Sequence, residues 1–181
     1  MNKKLISATI ILCTLLLNGC MSREEAAKHV TITLIQSPET NFGDWHTVSA
    51  NNANGLRFES PLGRIDISQA PTHLTTTADP QIVSAFNVLK QETERQIIAS
   101  HSSLINPADD DSLQLANHDF LHTTYRTRDS NNQRQHIELY LAPINGTLVT
   151  IIVQIGDDVD VQSYNQLQTL LTQQVDKFNK Q

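Results

Sequence analysis

The stretch His136 to Ile155, HIELYLAPINGTLVTIIVQI, decides the fold. Ile137, Leu139 and Leu141 alternate with polar neighbours, the period-two pattern of a strand with its apolar side chains turned inward. Asn145-Gly146 is a type I′ hairpin signal, because both central positions of that turn need positive φ. Leu148 to Ile155 is the most apolar, β-branched run of the chain and predicts a central strand. Phe120 to Thr127 reads as a further strand, joined to His136–Ala142 by the polar loop Arg128 to Arg134. A regular hairpin there places Arg126 beside Gln135 and His136 opposite Tyr125.

Working outward, Asp157-Asp158-Val159-Asp160 sets negative charge at the start of a last helix, where the macrodipole favours it. Ser163 and Gln166 have capping-box spacing, and Tyr164, Leu167, Leu171, Val175 and Phe178 mark the buried stripe. Upstream, Asp79-Pro80 is an N-cap followed by proline at the first helical position. Ile82, Phe86, Leu89, Thr93 and Ile97 recur behind it at helical spacing, so a long amphipathic helix runs from Asp79 to about Ser102. Asn106 to Asp111 then forms an exposed acidic loop. Leu56–Glu59 and Arg64–Ile67 flank Ser60-Pro61-Leu62-Gly63, a hairpin with proline and glycine in its turn. His29 to Ile35 alternates as a half-buried strand, and Asn51 to Gly55 is a loop. The expected class is α+β: an antiparallel sheet covered by two helices, both stripes packing on the Leu148–Ile155 region.

The element order from Leu56 to Phe178 resembles the PsbP-like fold, which several bacterial lipoproteins share. That resemblance implies an architecture and carries no binding residue to this chain.

The first twenty residues resemble the signal peptide of a bacterial lipoprotein. Lys3 and Lys4 precede an almost continuously apolar stretch, Leu5 to Leu17, which is too short to span a bilayer core of about 30 Å. Leu17-Asn18-Gly19-Cys20 is similar to a lipobox, with leucine three residues before the cysteine and a small residue directly before it. The resemblance implies cleavage between Gly19 and Cys20, a lipid on the Cys20 thiol and palmitate-type acylation of the new amino group. Such acyl chains contribute about 0.8 kcal/mol per buried methylene to an anchor. Met21-Ser22, with no aspartate after the cysteine, implies transfer to the outer membrane, facing the periplasm. The expected organisation is 1–19 signal peptide, 20–28 lipidated cysteine and tether, and 29–181 one α+β periplasmic domain.

The chain has 181 residues, and 13 basic against 19 acidic side chains set its charge at −6. Loss of Lys3 and Lys4 with the signal takes this to −8. So acidic a chain is ill suited to many phosphate contacts, which argues against nucleic acid as partner. Cys13 would leave with the signal and Cys20 would carry lipid, so the mature domain would hold no disulfide and no thiolate nucleophile.

The remaining candidates are few. His118 and His122 lie four apart on a strand, about 13 Å, too far to share a metal, and His136 meets neither in the expected register. Asp109-Asp110-Asp111 and Asp157 to Asp160 lack the spacing of a calcium loop. His136-Ile137-Glu138 puts two titratable groups on one strand face, read as solvated, with no nucleophile in reach. Serine-elbow, S-x-x-K, P-loop and dinucleotide motifs are missing from the sequence, so neither catalysis nor a cofactor is expected. Trp45, between Asp44 and His46, either anchors a partner or plugs the base of the core. Asp109, Asp110 and Asp111 could meet a basic partner. The expected function is a non-catalytic, lipid-anchored binding or accessory module for an envelope protein. An immunity lipoprotein that neutralises a secreted toxin is the alternative, and a hydrolase ranks third.

Overall fold

The computed structural model describes residues 43–48, 55–100 and 102–178, with the side chains of 105–109 outside that description. The expected signal peptide with Cys20, the expected tether and His29–Ile35 strand, and most of the expected Asn51–Gly55 loop therefore lie outside the described residues. Among the described residues seven strands form one antiparallel sheet: β1 (His46–Val48), β2 (Gly55–Ser60), β3 (Gly63–Pro71), β4 (Ser103–Leu115), β5 (His118–Arg128), β6 (Arg134–Ile144) and β7 (Thr147–Gly156). Their order across the sheet is β1-β2-β3-β7-β6-β5-β4, so β7 is central, as its composition predicted. Helix α1 (Pro80–Ala99) connects β3 to β4, and α2 (Val161–Phe178) follows β7.

The two helices cover opposite faces, and β7 shows why its run is apolar throughout. Val149, Ile151, Val153 and Ile155 pack with Leu167, Leu170, Leu171, Val175 and Phe178 of α2. Leu148 joins Ile82, Phe86, Leu89 and Ile97 of α1, with Tyr125, Leu139 and Leu141, in a second core. A strand with helices on both faces loses the alternation that a solvated face imposes. Thr93 is tolerated in the buried stripe of α1 because its hydroxyl donates to Leu89 O at 2.9 Å.

Both hairpin turns form where turn chemistry placed them. Asn145 and Gly146 have φ of 47° and 79°. Gly63 opens β3 at φ 155°, and a Cβ there would sit 2.0 Å from Gln154 O. No side chain fits between β3 and β7 at that point. Asp79 caps α1 through a 2.8 Å bond from Gln81 N.

Four expectations are corrected. Asn106 to Asp111 belongs to the edge strand β4, whose register shifts twice between Leu104 and Asp109, so periodicity does not reveal it. Helix α1 ends at Ala99, its last turn closed by Ser100 N to Gln96 O. Asp160, not the Ser163–Gln166 pair, caps α2, accepting from Ser163 N and Ser163 Oγ at 2.9 Å each. Finally, Arg126 pairs with His136 and Tyr125 with Ile137, one residue from the expected register. The Asp129 carboxylate sets this loop by accepting from Asn131 N and Gln133 N, with Asn132 at φ 66°. His136 and Glu138 alternate with the inward Ile137, Leu139 and Leu141, and so lie on the α2 side with His122.

Candidate functional site

On the face that α1 covers over β4, β5 and β6, strands β2 and β3 present Arg57, Arg64 and Asp66 beside the helix. The hairpin register sets Arg57 opposite Asp66, and alternation brings Arg64 to the same face. Arg57 Nε lies 2.6 Å from Asp66 Oδ1 and Arg64 Nε 2.9 Å from Oδ2, so one buried carboxylate serves two guanidinium groups. Arg64 continues toward β7, where its Nη2 reaches Gln154 Oε1 at 3.5 Å and Gln154 Nε2 donates to Gln135 Oε1 at 2.9 Å. Burial lowers the pKa of Arg64, Asp66 opposes that shift, and repulsion from Arg57 adds to it.

This polar ladder ends in a cleft of about 680 Å³ at the lower end of the sheet. The β2–β3 turn and Arg64 form one wall, and Arg134 and Gln135 at the start of β6 form another. Asp157 and Asp158, between β7 and α2, complete it. Arg134 Nη1 stands 3.9 Å from Asp157 Oδ2, while His136 Nε2 meets Asp157 Oδ1. Gly156 sits beneath Asp158, so close that a Cβ on it would lie 2.7 Å from Asp158 Oδ1. The lining thus mixes charged and amide groups with apolar ones such as Leu62 and Val159, is charge-balanced and open to solvent, and its guanidinium groups suit an oxyanion.

Under α2 lies a second polar group. Glu138, 4% exposed, accepts from Tyr140 Oη, and from Tyr164 Oη at 3.2 Å. Burial first, then Glu138, raises the pKa of both phenols. The His122 ring leans on Tyr140 with centroids 4.6 Å apart, and its Nδ1 pairs with Asp111 Oδ1 at 2.6 Å. The expectation of a solvated His136–Glu138 face is therefore corrected for Glu138, because α2 covers that face of β6 and buries it.

The residues singled out in the sequence do not converge. Trp45 is 1% exposed in the core beneath α2, so it is a plug and presents no anchor to a partner. Asp110 is held by Lys90 of α1 at 2.5 Å and Asp111 by His122, while Asp109 pairs by backbone register with Thr124. Burial works against ionisation of Asp110, but hydrogen bonds from Lys90 and Thr123 outweigh it and lower its pKa. Among the described residues no group of three His, Cys, Asp or Glu is placed to hold a metal ion. Gly19 and Cys20 lie outside the described residues. The cleft escaped the sequence reading because its walls come from three separate turns. Its one local signal is the alternation Arg64-Ile65-Asp66-Ile67, charges on one face and isoleucines on the other.

The fold and site define an α+β sandwich with a polar cleft at one end of its sheet. Among solved structures it is similar to the solution structure of cyanobacterial PsbP (CyanoP) from Synechocystis, at TM-score 0.47 and 15% identity, over 72% of this chain and 80% of that one. It is also similar to the Ran-binding protein Mog1p of Saccharomyces cerevisiae, at TM-score 0.35 and 10% identity, over 79% and 89%. A Bacteroides thetaiotaomicron crystal structure matches at TM-score 0.41 and 10% identity, over 68% of this chain, which spans only 39% of that one. No protein-family model matches the chain, and no curated protein matches it.

Proposed function

We propose that this chain is a lipoprotein of the bacterial envelope, anchored in the outer membrane by acyl chains on Cys20. Its α+β domain is then a non-catalytic binding or accessory module for a periplasmic or outer-membrane protein. The observation that carries the binding role is the polar end cleft, whose Arg64 and Arg134 keep donors that no described residue takes. The Leu17-Asn18-Gly19-Cys20 sequence supports the anchor.

Two experiments test this reading. Cells labelled with an alkyne palmitate analogue should incorporate it in the native chain, whereas Cys20→Ala should accumulate as unlabelled precursor. A Cys20→Ala chain that matures as efficiently as the native one refutes the anchor. A photo-crosslinker at Gln133, on the cleft, should capture a defined envelope protein that the same group at exposed Gln173 of α2 does not. Equal capture from both positions, or none from Gln133, refutes the binding surface. The captured protein separates an accessory role from neutralisation of an incoming toxin.

A further inference from the structure

We propose that the end cleft is a carboxylate site that takes the C-terminal carboxylate of a peptide. This rests on the cleft being the binding surface of the module and names the chemistry it recognises.

The argument begins with donor arithmetic. A guanidinium carries five N–H donors in a fixed fork. Arg64 spends Nε on Asp66 and reaches Gln154 through Nη2 only at 3.5 Å, the limit of a hydrogen bond. Arg134 stands 3.9 Å from its nearest carboxylate oxygen, too far for a hydrogen bond at all. Two cationic forks therefore line one cleft with most of their donors unspent. The Arg64 position is held rather than floating. Asp66 fixes the Arg64 guanidinium plane, Arg57 fixes Asp66 from its other oxygen, and the Arg64 side chain is only 20% exposed. A fork held in place loses less entropy on binding a planar carboxylate than a free surface arginine does.

The acidic residues decide which anion fits. Asp157 and Asp158 line the same cleft, so a phosphate dianion meets repulsion that a monoanion meets at half the strength. Asp157 is engaged by His136, whereas Asp158 is exposed and has no polar partner among the described residues. A peptide terminus offers what that pattern requires: a carboxylate for the guanidinium donors of the cleft, and amide N–H groups nearby for Asp158. Gln135 and Gln154, which supply both donors and acceptors, suit an amide backbone for the same reason.

The test uses the full chain in detergent micelles, with the arginine Nε–Hε and glutamine side-chain signals followed by NMR. Tri-alanine with a free C-terminus should shift the Arg64, Arg134 and Gln154 signals saturably. Its C-terminal amide should not, and inorganic phosphate should bind more weakly than the peptide. Arg64→Gln should weaken tri-alanine binding about tenfold or more, the scale of a lost charged hydrogen bond. Arg134→Gln, on an exposed side chain, should weaken it by up to about fivefold without touching the buried ladder. N-acetyl-tri-alanine separates the sources: retained binding means a protein C-terminus, and lost binding means a free short peptide. Absence of saturable binding, equal binding of the amide, or phosphate binding as tightly as the peptide overturns the carboxylate site. If crosslinking from Gln133 still succeeds in that case, the binding module stands and only its ligand chemistry falls.

Discussion

Removal of the Tyr164 hydroxyl is the sharpest probe of how this domain is held together. Glu138 points from β6 into the core beneath α2, is 4% exposed, and depends on two phenols for its hydrogen bonds. Tyr164→Phe keeps the ring and deletes the 3.2 Å donor that ties α2 to the sheet. A hydrogen bond to a charged group contributes roughly 1.5–3 kcal/mol, and water cannot reach Glu138 to replace it. Tyr164 is itself half-buried, and Gln168, which donates to its hydroxyl at 3.1 Å, can turn to solvent, so the lower half of that range applies. The expected loss is about 1.5–2 kcal/mol, or about 3–8 °C in Tm for a chain of this size. Tyr125→Phe is the internal comparison. Its hydroxyl reaches Glu94 Oε1 at 3.3 Å and Lys90 O at 3.5 Å, where Glu94 is half-exposed and water can take over. That variant should lose less than about 1 kcal/mol. Thermal melts of both full-length variants in micelles decide the matter. A Tyr164→Phe loss no larger than that of Tyr125→Phe would show that the buried carboxylate does not depend on its bond from α2.

Other perturbations probe the remaining parts of the fold. Phe86→Ala and Phe178→Ala open cavities on opposite faces of the sheet, and each should cost about 3–5 kcal/mol by chemical denaturation. Gly63→Ala drives a Cβ against Gln154 O at 2.0 Å and should cost at least about 3 kcal/mol; a near-native melt would mean that β3 and β7 can separate there freely. The folded-state pKa of Asp110 is lowered, so its pairing with Lys90 stabilises fully above the unfolded carboxyl value of about 3.9 and is lost as pH falls through the lowered folded value. With Asp110 more than half exposed, Lys90→Met should cost no more than about 1 kcal/mol at pH 7, and the cost should shrink as Asp110 is protonated in acid; a difference independent of pH would assign the effect to packing.

How much the sequence determines varies with the range of the interaction. Helix α1 starts at Asp79-Pro80 because capping and proline geometry act within one turn, and its stripe repeats with helical period whatever surrounds it. The Asn145-Gly146 and Pro61–Gly63 turns, and the central rank of β7, follow equally from local chemistry and from an apolar run that needs cover on both faces. Strand β4 was beyond such reasoning. Its Asn106-to-Asp111 run has the composition of a loop, and it is a strand because β5 offers an open edge to pair with. The β5–β6 register departs by one residue from a regular hairpin, in a loop where Asp129 accepts from two backbone amides, and Glu138 is buried because α2 covers its face of β6. Trp45 was decided by cover, since α2, more than a hundred residues later, closes over it. The cleft is the extreme case. Arg64, Arg134 and Asp158 come from three different turns, and only the sheet order β3-β7-β6 brings them to one end of the molecule. Local sequence dictates hydrogen bonds that close within a turn, whereas a site assembled across neighbouring strands exists only once long-range pairing has fixed which strands are neighbours.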